Sequence, residues 1–207
     1  YGMTECGTAT NTIASDSPHT VATTVGKASK DLEVAVVDED NNRVRDGDVG
    51  EIVVRGYAVM DGYFDDPEAT AATIDTAGWL HTGDRGACDA DGYFRILGRI
   101  KDMLIVGGFN VYPAEVEDAI REHPDVNEVA LIGVPDARLG EVGCAFIMQR
   151  RPIDFTEFTA WCRERMANFK VPRYLEALEA LPLTGSNKVS KVDLREIAAA
   201  RGIGESF

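Results

Sequence analysis

Two kinds of apolar spacing divide the chain. In the first half the runs are short and rich in β-branched residues: Leu32-Glu33-Val34-Ala35-Val36-Val37-Asp38 and Glu51-Ile52-Val53-Val54-Arg55. Asp40-Asn41-Asn42 and Asp46-Gly47-Asp48 lie between them, so the pattern predicts strands joined by tight turns. Asp66-Pro67 reads as an N-cap and first helical residue, opening a short helix to about Ile74. Asp89-Ala90-Asp91-Gly92 predicts a hairpin turn before a strand from Tyr93 to Leu97. The second half alternates. Met103–Val106 predicts a short strand, and Pro113 starts a helix with Val116, Ala119 and Ile120 on one face. Val126–Val134 and Val142–Met148 predict strands. A helix over about 154–167 places Phe155, Phe158 and Cys162 together, and Val189–Ala200 predicts the last helix. The fold class is α+β: a mostly β first half, then a small α+β domain of two or three strands and three helices. Repeats and low-complexity segments are absent from the sequence.

The 207 residues suffice for one large or two small domains. The net charge of −14 argues against nucleic acid and anionic membranes, which reward basic patches. It leaves nucleotide binding open, because a few local cations suffice. Charge is unevenly spread. Residues 1–98 hold 18 acids and 7 bases, whereas residues 99–207 hold 17 and 14. That change in character marks a boundary near residue 98. Cys6, Cys88, Cys144 and Cys162 are far apart, form no CxxC pair and do not cluster with His19, His81 or His123. A zinc site is therefore not expected, and idle thiols in a reducing cytoplasm are. No apolar run reaches the 18 residues of a membrane span.

Several segments carry candidate chemistry. Tyr1-Gly2-Met3-Thr4-Glu5 offers a ring to stack, a hydroxyl for a phosphate and a carboxylate for a cation. Asp84 follows Trp79-Leu80-His81-Thr82-Gly83 and reads as part of a glycine-containing turn. It is either an Asx-turn residue or a carboxylate for ribose hydroxyls. Arg99 and Lys101 flank Ile100 at the charge boundary, as a solvated linker or a hinge. Gly107-Gly108 reads as a hairpin turn or a close approach to a thin ligand. Lys188 lies in the polar loop Pro182–Asn187.

Taken in order, these segments resemble the adenylate-forming superfamily: acyl-CoA synthetases, peptide-synthetase adenylation domains and beetle luciferases. The residues that carry the resemblance are Tyr1–Glu5, Trp79–Asp84, Gly98-Arg99-Ile100-Lys101-Asp102, Gly107–Glu115 and Pro182–Lys188. The resemblance implies residues 1–98 as the end of a large AMP-binding domain, 99–101 as hinge and 102–207 as a mobile lid. It implies Tyr1, Thr4, Asp84, Arg99 and Lys188 as nucleotide-binding residues, Glu5 as the Mg²⁺ ligand and Lys101 as the pivot. Gly107, Gly108 and Phe109 would line a tunnel for CoA. Lys188 would be the catalytic lysine, with Lys191 as the fallback. Asn187 stands where glycine is usual and Lys191 where arginine is common. The implied activity is ATP-dependent activation of a fatty or aromatic carboxylic acid, then transfer to CoA. Partners would be the acid, ATP and CoA; a homodimer is left open.

The stretch Phe109–Glu115 resembles the CoA ligases. Peptide-synthetase domains usually have a Gln-Val-Lys-type strand there, and beetle luciferases place a lysine where this chain has Ile105. The alternatives are an adenylation domain that loads a carrier protein, or a non-catalytic fragment. The family's Ser/Thr/Gly-rich phosphate loop precedes the Tyr1 segment and has no counterpart in these residues. The chain is therefore expected to begin inside a longer protein and to be inactive alone.

Overall fold

The computed structural model describes residues 1–204. Its contacts divide the chain into two compact units, Tyr1–Lys101 and Asp102–Phe207.

The first unit is built on a four-stranded antiparallel meander: Leu32–Val37, Val49–Gly56, Leu80–Cys88 and Phe94–Arg99. Alternation along these strands buries two faces. Val36, Ile52 and Phe94 pack on one, and Ala35, Val37 and Val53 pack with Trp79 on the other. Small two-residue ladders, Gly2–Met3 with Gly7–Thr8 and Thr10–Asn11 with Lys27–Ala28, flank the sheet. Cys6 and Ala9 join Val54 and Leu80 in a further cluster against the Tyr1 ring. The helix Pro67–Thr73 starts as expected, with the Asp66 carboxylate accepting from the Ala69 N–H at 2.9 Å. A helix at Pro18–Thr23 went unpredicted; Ser17 caps it and none of its residues is buried.

Leu80–Cys88 corrects the expectation of a turn around Asp84. It is a nine-residue strand whose buried positions are Leu80, Thr82, Asp84 and Gly86. Polar residues fill the inward positions, so apolar periodicity does not mark it.

The second unit is an α+β layer. Its sheet has five strands rather than two or three. Phe109–Val111, Leu104–Val106, Gly140–Gln149 and Val126–Asp136 are antiparallel neighbours, and Tyr174–Ala177 pairs parallel with Gly140–Gln149. The helices Pro113–Arg121, Phe155–Arg163 and Lys191–Ala200 bury Val116 and Ile120, Phe158 and Cys162, and Leu194 and Ala198 in one core with Leu131, Phe146 and Ile147. Each fully buried large side chain contributes about 1.5–3 kcal/mol of transfer free energy. The middle helix stops at Arg163, short of the expected 167, and Phe155 leaves its buried face at 43% exposure. The last helix starts at Lys191, capped by the Ser190 hydroxyl.

Candidate functional site

Each unit gathers its own set of candidate residues. In the first, Asp84 is 6% exposed and both its carboxylate oxygens are engaged. The Tyr1 hydroxyl donates to Oδ2 at 2.5 Å, and Arg99 Nε lies 2.8 Å from Oδ1. Neighbouring strands bring Asp84 and Arg99 together, since the two pair in the sheet register. Burial first, and the bond to Asp84 second, push the Tyr1 phenol well above its usual range, so it stays protonated and donates. Thr82 supports the carboxylate: its hydroxyl donates to the Ile52 carbonyl at 2.7 Å and accepts the Asp84 N–H at 3.1 Å. Glu51 holds the preceding residues. One oxygen accepts the Gly83 N–H and the other bonds His81 Nδ1, both at 2.8 Å.

Thr4 and Glu5 occupy the turn of the Gly2–Thr8 hairpin, Thr4 exposed and Glu5 half-buried. The Met60 N–H donates to the Glu5 carbonyl at 2.8 Å, and the Tyr63 hydroxyl donates to Glu5 Oε1 at 3.0 Å. No cluster of three or more metal-ligating side chains forms among the described residues. That donor set still suits Mg²⁺, which commonly takes one or two carboxylates and completes its octahedron with water and phosphate oxygens.

Lys101 sits exposed in the 3₁₀ turn Ile100–Asp102. In the second unit, Gly107 (φ 58°) and Gly108 (φ 86°) form the hairpin turn between Leu104–Val106 and Phe109–Val111. Two successive positive φ angles suit glycine. The turn borders a cavity of about 590 Å³ whose wall includes Phe109, Phe155, Phe169, Arg138, Arg163 and Arg173. Phe109 stacks on Phe169 at 4.6 Å. Asp136 tethers Arg173 at 3.0 Å, and its carboxyl is held below the usual range by the N–H groups of Leu139 and Arg138 and by the cation. The sequence reading named the glycine turn but not the three arginines. They lie 30 or more residues downstream of the turn, and only the fold brings them to it.

Lys188 is exposed in its loop. Asn187 takes the left-handed conformation (φ 62°), Thr184 bridges the loop's ends, and no ion pair engages Lys188 among the described residues. Lys191, by contrast, pairs with Glu117 at 3.4 Å on the first turn of the last helix.

This architecture is that of the adenylate-forming enzymes. ATP-bound MatB from Rhodopseudomonas palustris superposes with a TM-score of 0.88 at 37% identity, covering 96% of this chain and 40% of that one. Residues 1–64 match the AMP-binding enzyme family and residues 115–188 match the AMP-binding enzyme C-terminal domain, so the chain belongs to the AMP-binding, adenylate-forming family. A methyl-dioxo-octahydroindenyl-propanoyl:CoA ligase of Rhodococcus jostii is 50% identical over 198 residues, 95% of this chain and 36% of the ligase. A feruloyl-CoA synthase of an Amycolatopsis species is 44% identical over 200 residues, 94% and 40% respectively. The chain thus spans well under half the length of these relatives.

Proposed function

We propose that this chain supplies the nucleotide-facing and CoA-facing parts of an AMP-forming acid–CoA ligase. The observation that carries the CoA half is the cavity beside Gly107-Gly108. It combines stacked aromatic rings with three guanidinium groups, two of them, Arg138 and Arg163, in no ion pair among the described residues. Rings and arginines suit the adenine and phosphates of CoA. A carrier protein presents its pantetheine without that nucleotide, so the cavity favours CoA over the carrier-loading alternative. The relatives' names support a CoA ligase and point to chemically different acids. A fatty or aromatic acid stays our reading of the substrate.

In this reading the acid's carboxylate attacks the α-phosphorus of ATP and pyrophosphate leaves, giving the acyl-adenylate. Asp84 accepts the ribose hydroxyls with Arg99 beside it, Tyr1 stacks on adenine and Thr4 bonds a phosphate. Mg²⁺ on Glu5 would neutralise charge on the phosphates. Lys188 stabilises the charge shared by carboxylate and phosphate. Lys101 is the pivot of the change to the second step, where the CoA thiol attacks the acyl carbon and AMP leaves. The residues lack a phosphate loop, so the 207-residue piece alone should not form acyl-adenylate.

The test uses the full-length protein. Arg163→Ala should raise the KM for CoA by about 10–100-fold, the range for losing a charge-assisted hydrogen bond, and leave acyl-adenylate formation unchanged. An unchanged KM, or faster transfer to a phosphopantetheinylated carrier protein than to CoA, would overturn the CoA assignment.

A further inference from the structure

Glu5 has one recorded side-chain partner among the described residues, the Tyr63 hydroxyl at 3.0 Å. Its salt bridges are nil within the same residues, so its second oxygen is unclaimed by the protein. A glutamate has three side-chain torsions, and holding it in one geometry costs up to roughly 1.5–2 kcal/mol of rotamer freedom. The 60–63 segment meets that cost from both ends of the residue. Met60 fixes the Glu5 backbone through its carbonyl, and Tyr63 fixes the carboxylate.

Tyr63 is itself anchored. Its N–H donates to the Thr70 hydroxyl at 2.9 Å, and that hydroxyl donates to the Asp66 carbonyl at 2.8 Å. Tyr63 and Asp66 also form an isolated bridge. Gly62, at φ 155°, packs so close to Thr70 that a Cβ would lie 2.8 Å from the threonine methyl. The capped helix Pro67–Thr73 therefore sets Thr70, Thr70 sets Tyr63, and Tyr63 aims Glu5.

We propose that Tyr63 is a positioning residue that orients the Glu5 carboxylate toward the divalent cation of a metal–nucleotide complex. This rests on the proposed role of Glu5. Ligating carboxylates generally depend on such outer hydrogen bonds, whose removal typically lowers metal affinity 10–100-fold.

The experiment compares wild type, Tyr63→Phe and Glu5→Gln in the full-length protein. Binding of Mn²⁺ with a non-hydrolysable ATP analogue is read by electron paramagnetic resonance, and metal-free AMP binding by calorimetry. Tyr63→Phe should weaken the metal-dependent binding about tenfold and leave AMP binding at the wild-type value. Glu5→Gln should weaken the metal-dependent binding at least as much. If Glu5→Gln leaves it intact, Glu5 is not the ligand and the reading beneath fails. If Glu5→Gln removes it and Tyr63→Phe does not, the positioning role alone fails. Equal loss of metal-dependent and metal-free binding in Tyr63→Phe would mark a structural role and also overturn the proposal.

Discussion

Asp84 is the best-organised candidate in the chain: a buried carboxylate with a phenol on one oxygen and a guanidinium on the other. Asp84→Asn keeps the shape and removes the charge. Asp84 is itself buried and also accepts the Tyr1 hydroxyl, so the change costs more than losing a surface ion pair, about 1–3 kcal/mol. Nucleotide binding should fall as well. Titration of the full-length protein with AMP should show a fall of about 10–100-fold, the range for a hydrogen bond to a charged group. The two lysines separate by environment. Lys191 is held by Glu117 on a helix, while Lys188 lies in an exposed loop and is in no ion pair among the described residues. Lys188→Ala should slow adenylation by about 10²–10³ and leave thioester formation from pre-made acyl-adenylate near normal. Lys191→Ala should instead lower the melting temperature slightly and spare both half-reactions. The reverse assignment would shift the catalytic position by three residues.

Among the elements, capping and burial account for what held and what did not. Pro67, Pro113 and the Asp66 cap set helix starts that local chemistry dictates, and these were legible in the sequence. Leu80–Cys88 was not, because its inward row is Leu, Thr, Asp, Gly, and pairing with Val49–Gly56 and Phe94–Arg99 decides its state. Tyr174–Ala177 is four residues long and exists through its parallel neighbour. Phe155 carried the periodicity of a core position yet lines a cavity, a difference that only the packed sheet defines. The candidate residues near Tyr1 and Asp84 were readable as types at a spacing. Tyr63 and the arginines were not, since their partners are 58 residues away in one case and across a cavity in the other. Burial also fixes the thiols. That of Cys144 is pushed up to about 12 and that of Cys162 to about 11, both chiefly by desolvation. In an unfolded chain both would ionise near 9, so the folded state binds more protons above that pH. Stability of the second unit should be unaffected below about pH 8 and fall as pH rises from 9 toward 11–12, by at most about 1.4 kcal/mol per unit per thiol. Denaturant melts at pH 7.5 and 10.5 would show it. Cys→Ala at both sites should flatten the difference, and an equal difference in that variant would assign it to other groups.

At the scale of the whole molecule, two units meet in sequence at Lys101 and Asp102. A pivot there must change its backbone angles between steps, and Lys101→Pro would fix φ near −65°. The two half-reactions of the full-length protein should then diverge sharply, one near normal and the other slowed many-fold; equal small losses would count against a pivot. The broader claim is that the protein joins a carboxylic acid to CoA through an acyl-adenylate. It is tested most directly by incubating the full-length protein with ATP, Mg²⁺, CoA and a panel of fatty and aromatic acids, and counting products. The expected result is AMP, pyrophosphate and acyl-CoA in equal amounts, with AMP release dependent on both acid and CoA. Release of ADP, or AMP without thioester for every acid in the presence of CoA, would contradict it.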